Sequence, residues 1–310
     1  LADDRVGIFH GAAGPFVAVA VADALETYSR ALVKPESVVR VEHPQAGHTF
    51  PTADPTAPAC TAVEEPYIGN CGLDGARALL GHLYGELADG RAPRPAGLIE
   101  FDQRPYAEAA GSAGLADRGW LFVPQDCEAG GEARCRLHVV FHGCKQGGSF
   151  IGDAFIRRSG YLEAAEANRI VLLFPQVEPS FQPLNPNGCW DWWGYEGEDY
   201  ATQAGPQVRA VRSMIADLLG SAAQGALRSG LGAGPLRAVE HAHPPHALDA
   251  SGGAADLLQQ PQQQPPALAL AAGTELLAQP EVQHGHVLEI GAVVHRNADR
   301  PAARGLEGEQ

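Results

Sequence analysis

The sequence predicts an α/β fold with a mainly parallel sheet that helices cover on both faces. Short runs of apolar and β-branched residues alternate with longer segments whose apolar residues recur at helical spacing. The clearest runs are Leu137–Phe141 and Ile170–Phe174, and their uninterrupted hydrophobicity is typical of strands buried on both faces. Both runs end at loops, and an open α/β sheet carries its reactive groups on such loops.

The individual elements follow from the same periodicities. Val38–Glu42 alternates apolar and polar residues as a strand does, whereas the apolar residues of Val17–Leu32 fall near one face of a helix. The predicted strands are Val6–Phe9, Val38–Glu42, Trp120–Val123, Leu137–Phe141 and Ile170–Phe174. The predicted helices are Val17–Leu32, Asp74–Leu87, Gly160–Asn168 and Ala204–Leu219, with a connector rich in proline and glycine over 88–97.

A sharp change of composition divides the chain near Ser221. Every Trp, Tyr, Phe, Cys and Lys lies before it, and the segment beyond it is rich in alanine, proline and glutamine. A segment without aromatic residues buries little surface, so we predict a folded domain over 1–220 and a disordered tail over 221–310. A frame-shifted reading of GC-rich DNA is an alternative origin for the tail. Because no fold fixes their geometry, we predict no metal site at the tail histidines: His241, His243, His246, His284 and His286.

The charge and the hydrophobic pattern exclude some classes of partner. A net charge of −15 at pH 7 argues against nucleic acid or an anionic membrane, since both repel an acidic surface. No apolar run is long enough to span a bilayer. The chain begins at Leu1 without the basic and apolar regions of a signal peptide, so we expect a processed chain or a fragment.

Six cysteines without a Cys-Xaa-Xaa-Cys pair indicate disulfides rather than a zinc site. Two pairs close short loops, and the remaining two cysteines are left for each other. The pairs favoured in this way are Cys60–Cys71, Cys127–Cys135 and Cys144–Cys189. This framework predicts an oxidising compartment, extracellular or periplasmic. The alternative is six buried free thiols in a cytosolic protein.

Two predicted strands end at loops whose residues suit acyl transfer. His48 follows Val38–Glu42, and an imidazole there suits a general base that activates a hydroxyl nucleophile. Leu137–Phe141 ends at His142-Gly143-Cys144, where backbone N–H groups just beyond the strand are well placed to bind an oxyanion. The plainer alternatives are a surface or packing histidine and a core strand followed by an ordinary turn.

These loops belong to a longer series of motifs. The series is VGIFHGAAGP at 6–15, GH at 47–48, NCGLDGA at 70–76, HGCKQ at 142–146 and NGCWDWWGY at 187–195. It resembles the catalytic domain of extracellular polyhydroxybutyrate (PHB) depolymerases, which are serine esterases of the α/β-hydrolase type. The resemblance covers about residues 5–219, and the last two motifs are the specific ones.

The order of the motifs resembles the circularly permuted branch of that family. The His48 loop precedes the oxyanion loop, whereas an ordinary α/β-hydrolase has the oxyanion loop first, followed by serine, acid and histidine. The permuted branch has its nucleophile elbow near the N-terminus, yet no Gly-Xaa-Ser-Xaa-Gly occurs in the chain. Ser149 lies close to the oxyanion loop but not in such an elbow. We therefore expect an N-terminally incomplete domain that lacks the nucleophile-elbow part.

The resemblance also implies roles for individual residues. His48 matches the general base, and Cys144 matches the residue whose backbone N–H helps to bind the oxyanion, with its sulfur tied to Cys189. Trp190 matches an aromatic residue of the substrate cleft, and we expect the other tryptophans of its motif in the core. The acid position corresponds to Gly14, and glycine cannot orient an imidazole. Loss of the acid of such a triad costs on the order of 10⁴-fold in turnover.

The resemblance implies hydrolysis of ester bonds in poly(3-hydroxybutyrate), related polyhydroxyalkanoates or their oligomers, with no cofactor and no metal. The partner is then a polyester or a short ester. Because the serine is absent and Gly14 replaces the acid, we expect this chain to be inactive as given. The alternatives are a non-catalytic, polymer-binding relative and an esterase acting on feruloyl or acetyl groups, although such esterases are expected to have the ordinary order of parts.

Overall fold

A computed structural model describes residues 3–128 and 135–223, with side chains described as far as 220. The last helix runs three residues past the predicted domain boundary at 220. The rest of the predicted tail, including its six histidines, lies outside the described residues. No helix in the described part of the chain is long and apolar enough to cross a membrane.

The described residues form ten strands and seven α-helices. The strands are β1 (Val6–Gly11), β2 (Val38–His43), β3 (Phe50–Thr52), β4 (Ile68–Asn70), β5 (Leu98–Asp102), β6 (Arg118–Phe122), β7 (Arg136–Val139), β8 (Ile170–Phe174), β9 (Ser180–Phe181) and β10 (Leu184–Asn185). The helices are α1 (Val19–Leu32), α2 (Gly75–Tyr84), α3 (Arg104–Ala110), α4 (Gly148–Ile151), α5 (Ala154–Arg158), α6 (Tyr161–Asn168) and α7 (Pro206–Ala223).

Each predicted strand and helix is present, with ends set by local chemistry. Asp74 caps α2, because its side chain accepts a hydrogen bond from the Arg77 N–H at 2.9 Å. The helix ends at Tyr84 rather than at Leu87, since Gly85 has a φ of +91° that a helix cannot continue through. The sequence analysis missed the shorter elements, which are β3, β4, β5, β9, β10, α3, α4 and α5.

The α/β class is confirmed, whereas the described strands pair in both directions rather than mainly in parallel. The largest sheet has the order β5-β6-β8-β7, in which β5–β6 and β6–β8 are antiparallel and β7–β8 is parallel. Two further pairs, β1–β2 and β3–β4, are parallel, and β9–β10 is antiparallel. An uninterrupted apolar strand shows that both faces of a sheet are covered, but it carries no information about the direction of the neighbouring strand.

The strand β8 carries the two-sided core that the sequence predicts. Ile170, Leu172 and Phe174 face a cluster formed with α2, α5 and α6, and all three are fully buried. Val171 and Leu173 face the opposite cluster, which includes α3 and α7. Because successive side chains of a strand point to opposite faces, this one strand divides the core into two layers.

Three disulfides join the six cysteines, in the pairs that their spacing favoured. Cys60–Cys71 and Cys127–Cys135 close loops with sequence separations of 11 and 8 residues. Cys144–Cys189 spans 45 residues and joins the segment after β7 to the segment after β10. The last pair therefore links two motifs that are distant in the sequence.

Candidate active site

The carboxyl ends of β1 and β2 lie side by side and lead to two site loops. Their register pairs His10 with Glu42 and Gly11 with His43, so both strands end at the same edge. Beyond them, the Ala13 N–H donates to the Ala46 carbonyl at 3.0 Å. These backbone contacts hold the loop after β1 against the loop that carries His48.

His48 is half-buried in a setting of aromatic rings. Its ring lies edge-on to Phe16 and Tyr67, with centroid distances of 5.4 and 6.4 Å. The preceding residue, Gly47, donates its N–H to the carbonyl of Cys60 at 2.8 Å, and Cys60 is held by its disulfide to Cys71. The position of the His48 backbone therefore depends on that disulfide.

Gly14 lies directly against this loop. A Cβ added at Gly14 would lie 3.3 Å from the His48 backbone nitrogen and 3.3 Å from the Gly47 carbonyl carbon. A cavity of about 20 Å³ opens at the same place, lined by Gly14 and His48 among others. A carboxylate at this position would therefore start beside His48, whereas glycine supplies none.

The predicted oxyanion loop follows β7 and turns sharply at Lys145, which has a φ of +58°. The Lys145 N–H donates to the Asn187 carbonyl at 2.8 Å, and the Gln146 N–H donates to the Gly143 carbonyl at 3.2 Å. Within the described residues, the N–H of Cys144 between them has no hydrogen-bond acceptor. It is thus available to donate to an oxyanion.

Gln146 joins the two halves of the site. Its side chain is buried, and its Oε1 accepts from the Gly143 N–H at 2.9 Å. Its Nε2 donates to the Tyr67 carbonyl at 2.9 Å and to the Pro66 carbonyl at 3.3 Å. One carboxamide therefore connects the oxyanion loop to the residue whose ring contacts His48. Sequence analysis gave Gln146 no role, although it ends the HGCKQ motif.

His142 is a buried, neutral support of the oxyanion loop. Its Nε2 accepts from the Val177 N–H at 3.2 Å, so its proton is on Nδ1, which donates to the Gly143 carbonyl at 2.7 Å. Burial lowers the pKa of His142 to about 4, and the bond to Gly143 opposes this only partly. The ring is thus a fixed hydrogen-bond connector at neutral pH.

Trp190 follows Cys189 and packs against the residues that follow β7. Its ring lies 4.8 Å from that of Phe141 and 5.8 Å from that of His142, measured between centroids. The side chain is half-buried and lines a large cavity. Its ring therefore has one face on the core and one toward open space.

The prediction that the neighbouring tryptophans lie in the core was wrong. Trp192 and Trp193 are 39% and 42% exposed. The segment is not a strand, because the Asp191 carboxylate accepts three backbone N–H bonds, from Gly194, Tyr195 and Glu196. This capped turn removes the alternation of inward and outward residues on which the prediction depended.

Ser149 is not placed as a nucleophile. It lies in α4, and its hydroxyl donates to the Glu178 carboxylate at 2.6 Å. The described residues contain no cluster of three metal-ligating side chains. Of the predicted site residues, the structure brings Gly14 and His48 together and joins them to the Cys144 loop through Gln146.

Two curated relatives share much of this sequence. The chain is 40% identical over 217 residues to a poly(3-hydroxybutyrate) depolymerase of Delftia acidovorans, covering 69% of this chain and 42% of the relative. It is 36% identical over 187 residues to a polyhydroxybutyrate depolymerase of Talaromyces funiculosus, covering 56% of this chain and 54% of the relative. The chain thus spans about half the length of these relatives. No family model matches the chain.

Solved structures are similar as well. The crystal structure of a PHB depolymerase from Penicillium funiculosum matches with a TM-score of 0.62 and 32% identity, over 71% of this chain and 70% of that one. A serine-to-alanine variant of a PHB depolymerase, complexed with an R3HB trimer, matches with the same values. The similarity therefore covers more than two thirds of both chains in each comparison.

We expect the stability of the domain to fall in acid through His142. The folded state binds its proton only below about pH 4, whereas the ordinary pKa is 6.5, so the unfolded state holds more protons between these values. The contribution of His142 to the free energy of unfolding is therefore fully present above pH 6.5. It decreases toward pH 4, by on the order of 3 kcal/mol. Urea unfolding at several pH values measures this slope.

The matched variant is His142→Gln, which lacks the titrating group but keeps hydrogen-bonding atoms. Its free energy of unfolding at pH 7 is lower, and its decrease between pH 6.5 and 4 is smaller than in the unchanged chain. The carboxylates are common to both proteins and cancel in the difference. Identical slopes in the two proteins would contradict the role assigned to His142.

Replacing Gln146 by leucine tests the connection between the two loops. Gln146→Leu leaves the Gly143 N–H and the Tyr67 carbonyl without their buried partner, which costs about 2 kcal/mol or more. The variant is expected to melt at lower temperature and to lose nuclear Overhauser contacts between the His48 and Tyr67 rings. Gln45→Leu, at an exposed position, is the control and should keep both properties.

Proposed function

The chain belongs to the polyhydroxybutyrate depolymerase family, and we propose that it contributes to hydrolysis of ester bonds in poly(3-hydroxybutyrate) and related polyesters or oligomers. The observation that carries the proposal is the Gln146 carboxamide, which joins the Cys144 loop to Tyr67, whose ring contacts His48. A general base and an oxyanion donor held in one place suit acyl transfer.

In the proposed reaction, a serine oxygen attacks the ester carbonyl carbon while its proton passes to the His48 imidazole. The Cys144 N–H donates to the oxyanion of the tetrahedral intermediate. The ester C–O bond then breaks, and the alcohol leaves with the proton from His48. Water attacks the acyl-enzyme through the same steps and releases the acid. No serine of the 310 residues lies in a Gly-Xaa-Ser-Xaa-Gly elbow, so we assign none as the nucleophile.

Gly14 weakens this proposed machinery further. A triad acid holds the imidazole in its productive tautomer and stabilises the imidazolium, and its loss costs on the order of 10⁴-fold in turnover. Glycine occupies the position from which such a carboxylate would extend. A Cβ added there would lie 3.3 Å from the His48 backbone nitrogen. We therefore propose that the chain by itself has negligible esterase activity.

We also propose that the protein works in an oxidising compartment, outside the cell or in the periplasm. Three disulfides and no free cysteine among the described residues support this location, because reducing compartments keep thiols reduced. The polyester substrate of the proposal is an extended apolar polymer, and Trp190 provides a half-buried aromatic surface for one of its segments.

The activity prediction uses a short-chain p-nitrophenyl ester. The purified 310-residue chain should hydrolyse it no faster than its His48→Ala variant, because the base has no assigned nucleophile to activate. The release of p-nitrophenol, measured against buffer alone, checks this. Hydrolysis by the unchanged chain that disappears in His48→Ala would show that the chain is a complete esterase.

Binding of the polymer separates the proposed substrate class from its alternatives. We expect the chain to sediment with PHB granules and Trp190→Ala to do so several-fold less, since an aromatic contact contributes about 1 kcal/mol. Phe181→Ala is the control and should bind like the unchanged chain. Phe181 lies in β9, which pairs with β10, and is 86% exposed. Equal binding by Trp190→Ala, or retention on feruloylated polysaccharide instead, would contradict the proposal.

A further inference from the structure

A cavity of about 20 Å³ lies where three segments of the candidate active site meet. It is lined by the end of β1, by the loop that carries Gly14 and Val17, and by the loop that carries His48 and Thr49. A single water needs roughly 10 to 15 Å³ of such volume. The cavity therefore has room for one water or for one very small ion beside the His48 loop.

Two backbone N–H groups of the lining residues lack an acceptor. Within the described part of the chain, neither the Val17 N–H nor the Thr49 N–H has a hydrogen-bond acceptor. Thr49 is only 6% exposed, so water has little access to its backbone. Buried N–H groups are almost always paired, and an unpaired one indicates a bound water or ion. A ligand of this cavity is therefore expected to be a hydrogen-bond acceptor.

His48 is the lining group on which a bound anion would act. Its ring lies edge-on to the rings of Phe16 and Tyr67, at centroid distances of 5.4 and 6.4 Å. Burial, together with the charge of Glu65, raises the pKa of Tyr67, so its phenol stays protonated and uncharged at neutral pH. A negative charge in the cavity would therefore stabilise the protonated form of His48.

The charged groups at the ends of β1 and β2 compensate one another. Glu42 lies 3.8 Å from Nδ1 of the buried His10, and Arg40 forms an ion pair with the same carboxylate oxygen at 2.6 Å. The neighbouring His43 accepts the Gln45 N–H through Nδ1 at 3.3 Å. Arg40 thus offsets the repulsion that the Glu42 carboxylate would exert on an anion in the cavity.

We propose that this cavity binds one small carboxylate anion of the size of formate. The anion accepts hydrogen bonds from the unpaired backbone donors, and its charge pairs with the His48 imidazolium. It takes the space that a side chain at Gly14 would enter. By linkage, the anion and the His48 proton strengthen each other's binding by the same factor. The site rests on the cavity and its donors, and only the meaning of His48 as a general base rests on the proposed function.

The test is a titration of the full 310-residue chain with sodium formate, followed by nuclear magnetic resonance of the His48 ring protons. The signals of His48 are those absent from His48→Ala. We expect shifts that saturate at millimolar or higher concentration, since so small a ligand binds weakly. At saturation the midpoint of the His48 titration should rise by about one pH unit.

Two control solutes isolate the effect of a bound charge. Sodium chloride at the same ionic strength reproduces the screening by formate, and formamide resembles formate in size without its charge. Neither should raise the midpoint of the His48 titration. A response to formate that either solute reproduces, or the absence of a saturable response, would overturn the proposal.

Larger carboxylates test whether the anion lies inside the cavity. Acetate adds one methyl group to formate and propionate adds a further methylene, and a cavity of about 20 Å³ has little room for them. We expect propionate to need at least roughly tenfold more than formate for half-saturation, with acetate between them. Equal half-saturation by all three anions would indicate association with an exposed charge and would contradict the proposal.

A pair of isosteric substitutions at Gly14 provides the matched variants. An added Cβ would have its nearest neighbours at 3.3 Å, so a side chain fits after small adjustments. Gly14→Asn should abolish the response to formate without raising the midpoint of His48, whereas Gly14→Asp should abolish the response and raise the midpoint by itself. Ala12→Asn, at an exposed residue outside the lining, should keep the response. A response retained in Gly14→Asn would overturn the assignment, and the anion series decides alone if both Gly14 variants unfold.

The outcome is independent of the tests of the proposed function, because no ester or polymer is used. Sedimentation with PHB granules without a response to formate would contradict the anion site and leave the proposed function intact. A response to formate without sedimentation would support the anion site and contradict the proposed function.

Discussion

The site depends on one buried carboxamide, that of Gln146. It pairs with the Gly143 N–H on one side and with the carbonyls of Pro66 and Tyr67 on the other. These segments are about 80 residues apart in the chain, so no local turn could hold them together. Since the Gly143 N–H is buried and the two carbonyls are partly buried, removing the side chain leaves polar atoms with little access to water. The Cys144 loop and the segment that contacts His48 are thus held together by hydrogen bonds from one side chain to backbone groups.

The buried histidine that supports the oxyanion loop is neutral at pH 7. His142 is uncharged because burial lowers its pKa, and its two nitrogens are used by Gly143 and Val177. The His142 ring therefore adds no charge beside the Cys144 loop, and its hydrogen bonds in such a low-dielectric place are strong. Neutral supports of this kind orient a donor without adding a charge that needs solvation.

The sequence predicted five of the ten described strands, four of the seven described α-helices, the cysteine pairs and the position of the two loops, because periodicity and strand ends are local signals. It did not predict that β6 runs antiparallel to β8, since burial on both faces leaves strand direction open. Trp192 and Trp193 were misplaced because Asp191 caps a turn that composition alone does not reveal. The role of Gln146 needed the fold, since its partners come from a distant segment. The roles of His48, Cys144 and Trp190 stay predictions.

Two of the three disulfides attach to the site rather than to the sheet. Cys60–Cys71 supports the loop before His48, and Cys144–Cys189 joins the oxyanion loop to the segment of Trp190. The two-layer core around β8 contains neither bridge. Folding of the sheet and assembly of the site are therefore separately sensitive to the environment. Reducing Cys60–Cys71 and Cys144–Cys189 would therefore release the two site loops from their covalent anchors while leaving the contacts of the core around β8 in place.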